Sequence, residues 1–335
     1  MIVSDVLYGE YEVEEVLSEL IQSKEVQRLK EIHMVGASYL LNPLWNETRY
    51  EHSIGVMLLI RKMGGSLEEQ IAGLLHDVSH TIFSHVIDLV MKRNQEDYHE
   101  EMKEKYLKEG SIPRILKQYG FDWEVLLLDD TQWRILEQEA PILCADRVDY
   151  TLREVHRYFG TDLAAIHSFL AELSLVDGKM VLKSIASGEW FIEEYYKVVL
   201  DFFYDPLNIY GYEWMSQILT YALAKEYVSM TDLMGTEPVI LTRLSEVEDA
   251  KLRDLFRQFY QPVTFLEVVQ GGKYDIYQKK KTRLVDPLVM VDETVDFTSN
   301  YSKKAQEMNR QAQEKSERGI YLQVYEMKKP LKIIF

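Results

Sequence analysis

Five of the eight histidines in this sequence fall between His52 and His99, and no other feature restricts the fold so tightly. The stretch runs Arg49-Tyr50-Glu51-His52, then His76-Asp77, then His80, His85 and His99, with Asp146 farther along. From His52 to Met63 the pattern HSIGVMLLIRKM is amphipathic, which predicts a helix. Gly64-Gly65 is a stop signal, and Ser66-Leu67-Glu68-Glu69 reads as a capping box opening a second helix, LEEQIAGLLHD. At the helical rise the chain climbs about 17 Å from His52 and descends about 15 Å to His76. An antiparallel helical pair therefore brings His52 level with His76-Asp77.

The rest of the chain predicts a mainly α fold. Residues 11–34 place Val13, Val16, Leu17, Leu20 and Ile21 on one helical face, and 36–46 read as a loop. Helices are expected over 80–92 and 97–107, more weakly over 122–138, and strongly after Pro141, taken as a first-turn proline. Helix continues over 164–173, and Val176-Asp177-Gly178-Lys179 predicts a hairpin turn. Residues 188–229 return to helix, broken near Asp205-Pro206 and Gly211, with FFYDPLNIYGYEW as core or pocket wall. Past 235 the runs VTFLEVV, KYDIYQ, LVDPLVMV and GIYLQVYE are strand-like, with helices at 245–258 and 300–315. The expected division is a helical body over 1–235 and a smaller α+β region over 236–335.

Composition narrows the function. Hydrophobic residues are 47% and charged ones 28%, an ordinary globular balance, and no apolar run is long enough to span a membrane. The single cysteine, Cys144, reads as a buried small residue and suits a reducing cytoplasm. A formal charge of −17 excludes tight binding to long nucleic acid, which needs clustered cations. The one dense basic run, Lys279-Lys280-Lys281 with Arg283, reads as a solvated loop. His33, His156 and His167 lie outside the cluster and read as structural.

Two imidazoles with two carboxylates form a borderline-to-hard donor set, suited to Mn, Fe, Ni, Zn or Mg as a divalent cation. Such an ion polarises a phosphorus centre and lowers the pKa of a water. His85 and Asp88 share a helical face, so the carboxylate can orient the imidazole for acid–base work. Arg49 is within reach of phosphate oxygens, which a guanidinium can clasp with two hydrogen bonds.

The stretches RYEHSIGV (49–56), QIAGLLHDVSHTIFSHVID (70–88) and ADRVDY (145–150), with YHEEM (98–102), resemble the HD-domain phosphohydrolase superfamily. Within it they are most similar to the deoxynucleoside triphosphate triphosphohydrolases. The resemblance implies an HD-type helical bundle in which His52, His76, Asp77 and Asp146 ligate the metal. It makes His85 the catalytic histidine oriented by Asp88, with His80 and His99 lining the phosphate path. Arg49 and Arg147 would contact phosphates, and Tyr150 and Glu154 would meet the sugar, Glu154 standing where the family has Asp. It implies release of tripolyphosphate from a nucleotide by a dimer or larger homo-oligomer. Two positions depart from the pattern. Met34 replaces a sugar-reading glutamine, and residues 198–224 contain no Lys, Arg or His to hold a polyphosphate. A phosphomonoesterase or phosphodiesterase acting on a smaller ester, and a non-catalytic nucleotide sensor, stay open as alternatives.

Overall fold

The computed structural model describes residues 1–93 and 96–327. At its centre is the Arg49–Lys62 helix, capped by Thr48, which accepts from the Glu51 N–H while Glu51 accepts from the Thr48 N–H. This helix is buried on nearly every side from His52 to Ile60, not on one stripe as the amphipathic reading expected. A helix apolar all round belongs in the middle of a bundle. It packs against Leu67–Leu75 on one side and Ala145–Phe159 on another.

Close approach needs small residues. A methyl group on Gly73 would run into the Ile60 side chain, and one on Gly55 would overlap the Asp149 carboxylate and the Arg153 guanidinium. Gly55→Ala should therefore lower stability by about 1–3 kcal/mol, the usual cost of overpacking, and displace Asp149 from beneath the site. Thermal unfolding and metal content check this; an unchanged melting temperature would contradict it.

Several local expectations give way to tertiary contacts. Ser66 does cap its helix, but the Glu69 carboxylate turns away to accept from the Ile135 and Leu136 N–H groups, so the reciprocal box is absent there. The expected 11–34 helix is split into Glu15–Gln22, Lys24–Arg28 and a 3-10 turn, after an N-terminal hairpin of Ile2–Asp5 with Gly9–Glu12. Residues 80–92 form only a short helix, Val86–Val90, because Phe83 and Ser84 take left-handed φ of 56° and 51°. Such strain on non-glycine residues is held by surrounding contacts. Here the Phe83 N–H donates to Glu237, and the Ser84 hydroxyl donates to the His33 carbonyl. Pro141 follows a cis peptide, and the helix starts only at Ala145 with Cys144 as N-cap.

Beyond the bundle, Pro206–Ala224 is continuous helix through Gly211 and packs on Val86–Val90 and Ala250–Phe259. The expected 245–258 helix begins only at Ala250 and runs to Phe259, and a further helix, Glu237–Ser245, precedes it. Strands Leu173–Val176 and Lys179–Leu182 form the expected hairpin, which Leu288–Val291 extends in parallel and Thr294–Phe297 closes. A second sheet sets Val263–Glu267 and Ile276–Gln278 on either side of Ile320–Glu326. We propose a division near residue 235 between a helical body and a smaller α+β region, the two joined by one sheet and one apolar core. Among the described residues no helix is long and apolar enough to cross a membrane.

Candidate metal and phosphoryl-transfer site

The helical pair does what its spacing predicts. One cavity of about 510 Å³ is lined by His52, His76, Asp77 and Asp146, and also by His80, His85 and His99. His52 Nε2 lies 3.0 Å from Asp146 Oδ1 and 4.0 Å from Asp77 Oδ2. His76 Nε2 is 3.6 Å from Asp77 Oδ1 and 3.6 Å from Asp146 Oδ1. Three separate segments thus bring two ring nitrogens and two carboxylates to one point.

The hydrogen bonds behind these groups identify what the point accepts. His76 Nδ1 donates to the Gly73 carbonyl at 2.7 Å, which leaves Nε2 a bare lone pair. That lone pair is buried, has no hydrogen-bond partner, and faces two carboxylates. Ring nitrogens and carboxylates crowded together in a buried site are costly unless a proton or a cation stands between them, and Asp77 and Asp146 accordingly raise the His76 imidazole against its burial. His52 repeats the arrangement: Nδ1 donates to Asp149 Oδ2 at 2.8 Å, and Nε2 points at Asp146. Burial pushes its imidazole down, but the hydrogen bonds it donates to Asp146 and Asp149 outweigh this and raise it to about 10. A second proton fills the place that a divalent cation would take. The donor set fits a divalent metal, and the Asp149 partner fixes the His52 tautomer from behind.

Asp149 is itself held by Arg153, which also meets Asp5 at 2.9 Å. Asp149 is not among the residues singled out from the sequence; its spacing of one helical turn from Arg153 is the available signal. Burial favours the neutral acid at Asp77, yet Arg49, His76 and His80 hold its carboxyl well below the usual range. Arg49 reaches Asp77 through Nη1 and donates to the Ser84 hydroxyl through Nε at 2.8 Å, so it braces a carboxylate at the cavity wall.

The remaining histidines form a second group. His80 and His99 stack with centroids 3.8 Å apart, and His85 meets them edge-on at 5.0 and 5.5 Å. His85 Nδ1 is 3.1 Å from Asp88 Oδ2, while Asp88 Oδ1 accepts from the Tyr98 N–H. Burial lowers the His85 imidazole, with Asp88 partly opposing it, and burial with Arg49 and His99 holds His80 well below its ordinary value. Both shifts favour the neutral ring.

The other residues singled out from the sequence are divided by the structure. Tyr150 and Glu154 line the cavity, as does Met34. Burial, and then Glu47, a carboxyl that sequence reading did not pick out, raise Glu154 well above the carboxylate range, which favours its protonated, donating form. Arg147 also lines the cavity, but its guanidinium is spent on the Ile142 and Gln138 carbonyls. Cys144 is fully buried, and burial pushes its thiol up, which agrees with a packing role. His33, His156 and His167 bond Glu237, the Thr161 carbonyl and the Leu7 carbonyl outside the cavity.

One expectation is overturned. The basic run is not a solvated loop: Lys280 and Arg283 turn into the cavity, Lys280 over the Tyr212 ring at 4.2 Å and Arg283 over Phe203 at 5.4 Å. Arg283 also pairs with Glu96, which likewise lines the cavity.

Comparisons with known proteins agree with this geometry. Residues 49–140 match the HD domain family. An uncharacterized protein of Bacillus subtilis, YdhJ, is 45% identical over 324 residues, covering 97% of this chain and 99% of its own. The metal-dependent phosphohydrolase cns2 of Cordyceps militaris is 44% identical over 156 residues, 46% of this chain and 45% of its own. The human deoxynucleoside triphosphate triphosphohydrolase SAMHD1 is 30% identical over 142 residues, 36% of this chain and 23% of its own. The converging imidazoles and carboxylates suit a metal-dependent hydrolase, and the chain belongs to the HD-domain superfamily of metal-dependent phosphohydrolases.

Proposed function

We propose that this hydrolase acts on a nucleotide, and that its reaction is (d)NTP triphosphohydrolysis with release of tripolyphosphate. The observation that carries the reading is the make-up of one cavity. The cavity that holds the metal-binding cluster is also lined by Tyr150, Glu154, Asn208 and Tyr212, aromatic rings and hydrogen-bonding groups suited to a nucleoside. The partial likeness to SAMHD1 supports the same reaction class.

We assign His52, His76, Asp77 and Asp146 to the metal. Bound there, a divalent cation supplies Lewis acidity to a phosphoryl oxygen and a lowered pKa to a water. Arg49 fixes the Asp77 carboxylate by a charge-assisted bond and adds positive potential beside the phosphate. His85, with its proton on Nδ1 toward Asp88, presents Nε2 as the group that takes up or returns a proton. His80 and His99, stacked beside it, form the imidazole lining of the phosphate path. Glu154 donates to a sugar hydroxyl, and Tyr150 packs against the ring. Arg147 contributes charge to the phosphates but no free hydrogen-bond fork. The single buried cysteine suits a cytoplasmic enzyme, and a homo-oligomer is the assembly we assign to it.

A specific observation favours a second reading. Met34 offers no hydrogen bond, and the Pro206–Ala224 helix carries no basic side chain, as suits a phosphomonoesterase or phosphodiesterase on a smaller ester. A panel of dNTPs, NTPs, nucleoside monophosphates and p-nitrophenyl phosphates with Mn²⁺ decides between them. Tripolyphosphate from triphosphates is the expected product. Orthophosphate from monophosphates alone would replace the first reading with the second, and no turnover of any ester would leave only the sensor.

A further inference from the structure

We propose that the 279–287 loop supplies the clamp for the substrate's polyphosphate tail, with Lys280 as its free cation and Arg283 as a cation that Glu96 holds in reserve. The inference deepens the nucleotide reading and rests on it. Five cations line the cavity: Arg49, Arg147, Lys280, Lys281 and Arg283. Arg49 is committed to Asp77 and Ser84, and Arg147 to two backbone carbonyls. Neither can turn to a long anion without stripping a buried partner, which is costly. Lys280 is different. Among the described residues its ammonium meets no carboxylate and sits on the faces of Tyr212 at 4.2 Å and Phe203 at 5.9 Å. Its backbone N–H donates to the Tyr204 hydroxyl at 3.1 Å, so the loop is pinned to the segment that leads into the Pro206–Ala224 helix.

Glu96 completes the device. Its carboxylate is bound by Arg283 in the same cavity as the hydrolytic cluster and feels the charge of His85. A carboxylate on a guanidinium occupies the place and the charge of one phosphate, and a phosphate tail carries more charge and more acceptors than Glu96 does. The tail would displace Glu96 from Arg283 and take Lys280 as well. The cations missing from 198–224 are thus supplied by a loop that follows them in the chain and folds over them.

Binding of inorganic tripolyphosphate, pyrophosphate and orthophosphate to the Mn²⁺-loaded full-length enzyme, by calorimetry, tests this. Wild-type affinity should rise with each added phosphate. Lys280→Ala and Arg283→Ala should each weaken tripolyphosphate about 10-fold or more and orthophosphate about 2-fold or less, with metal content unchanged. Lys280→Arg should restore most of the loss. Glu96→Gln should tighten tripolyphosphate several-fold, a change that no merely structural ion pair predicts. Tripolyphosphate affinity unaltered in both alanine variants, or weakened by Glu96→Gln, would overturn the clamp. The two proposals fail separately. Selective binding without turnover of triphosphates removes the reaction and keeps the clamp; turnover with unaltered binding in the variants removes the clamp alone.

Discussion

Asp77→Ala should yield protein that retains no divalent metal and has no measurable turnover. The carboxylate lies where four partners meet: Arg49, His80 Nε2 at 3.3 Å, His76 Nε2 at 3.6 Å and His52 Nε2 at 4.0 Å. Alanine removes one of the proposed metal ligands and the counter-charge of Arg49, a residue only 3% exposed. Breaking a buried pair from one side costs about 3–5 kcal/mol because the remaining charge is left uncompensated. Loss of stability is therefore expected along with loss of function, and Asp77→Asn serves as the control. The amide keeps the shape and can still accept from Arg49, but it is a weak ligand for a hard cation. Elemental analysis of both purified variants, with circular dichroism to confirm folding, makes the measurement. A folded Asp77→Asn protein with wild-type metal and turnover would remove Asp77 from the ligand set.

How much of this was legible in the sequence follows from range. The spacing of His52 and His76, the Gly64-Gly65 stop and the Ser66 cap are local signals, and they predict a convergence that the fold realises. The His85–Asp88 pair is one helical turn and was equally readable. Local reasoning failed where a distant residue takes over a nearby group. Glu69 leaves its own helix terminus for Ile135 and Leu136, and Phe83 is bent into a left-handed conformation with its N–H on Glu237. The same reason hid the basic loop. Arg283 and Glu96 are 187 residues apart, and nothing in a run of lysines tells whether it faces water or a cavity formed from other segments. The excess negative charge of the chain made the solvated reading more natural still, though the charge that matters is the charge lining the pocket.

The second large effect separates acid–base work from metal holding. His85→Ala should lower turnover by about 10²–10⁴-fold, the range for removal of a positioned proton-transfer group, and leave metal content unchanged. The separation is geometric. The convergence of His52, His76 and Asp146 does not include His85, whose neighbours are His80 and His99 with centroids 5.0 and 5.5 Å away. Asp88 allows a finer measurement. It opposes the burial that lowers the His85 imidazole, and it is fixed in turn by the Tyr98 N–H at 3.2 Å. The catalytically useful form in the first step is the neutral ring, so activity should fall on the acid side as His85 protonates. Asp88→Asn removes the group that favours imidazolium, so the acidic limb of the pH–rate profile should move to lower pH while the plateau drops from loss of orientation. A limb that stays in place, or one that moves upward, would mean that His85 is not the titrating base. Loss of metal in His85→Ala would mean instead that the two histidine groups act as a single site.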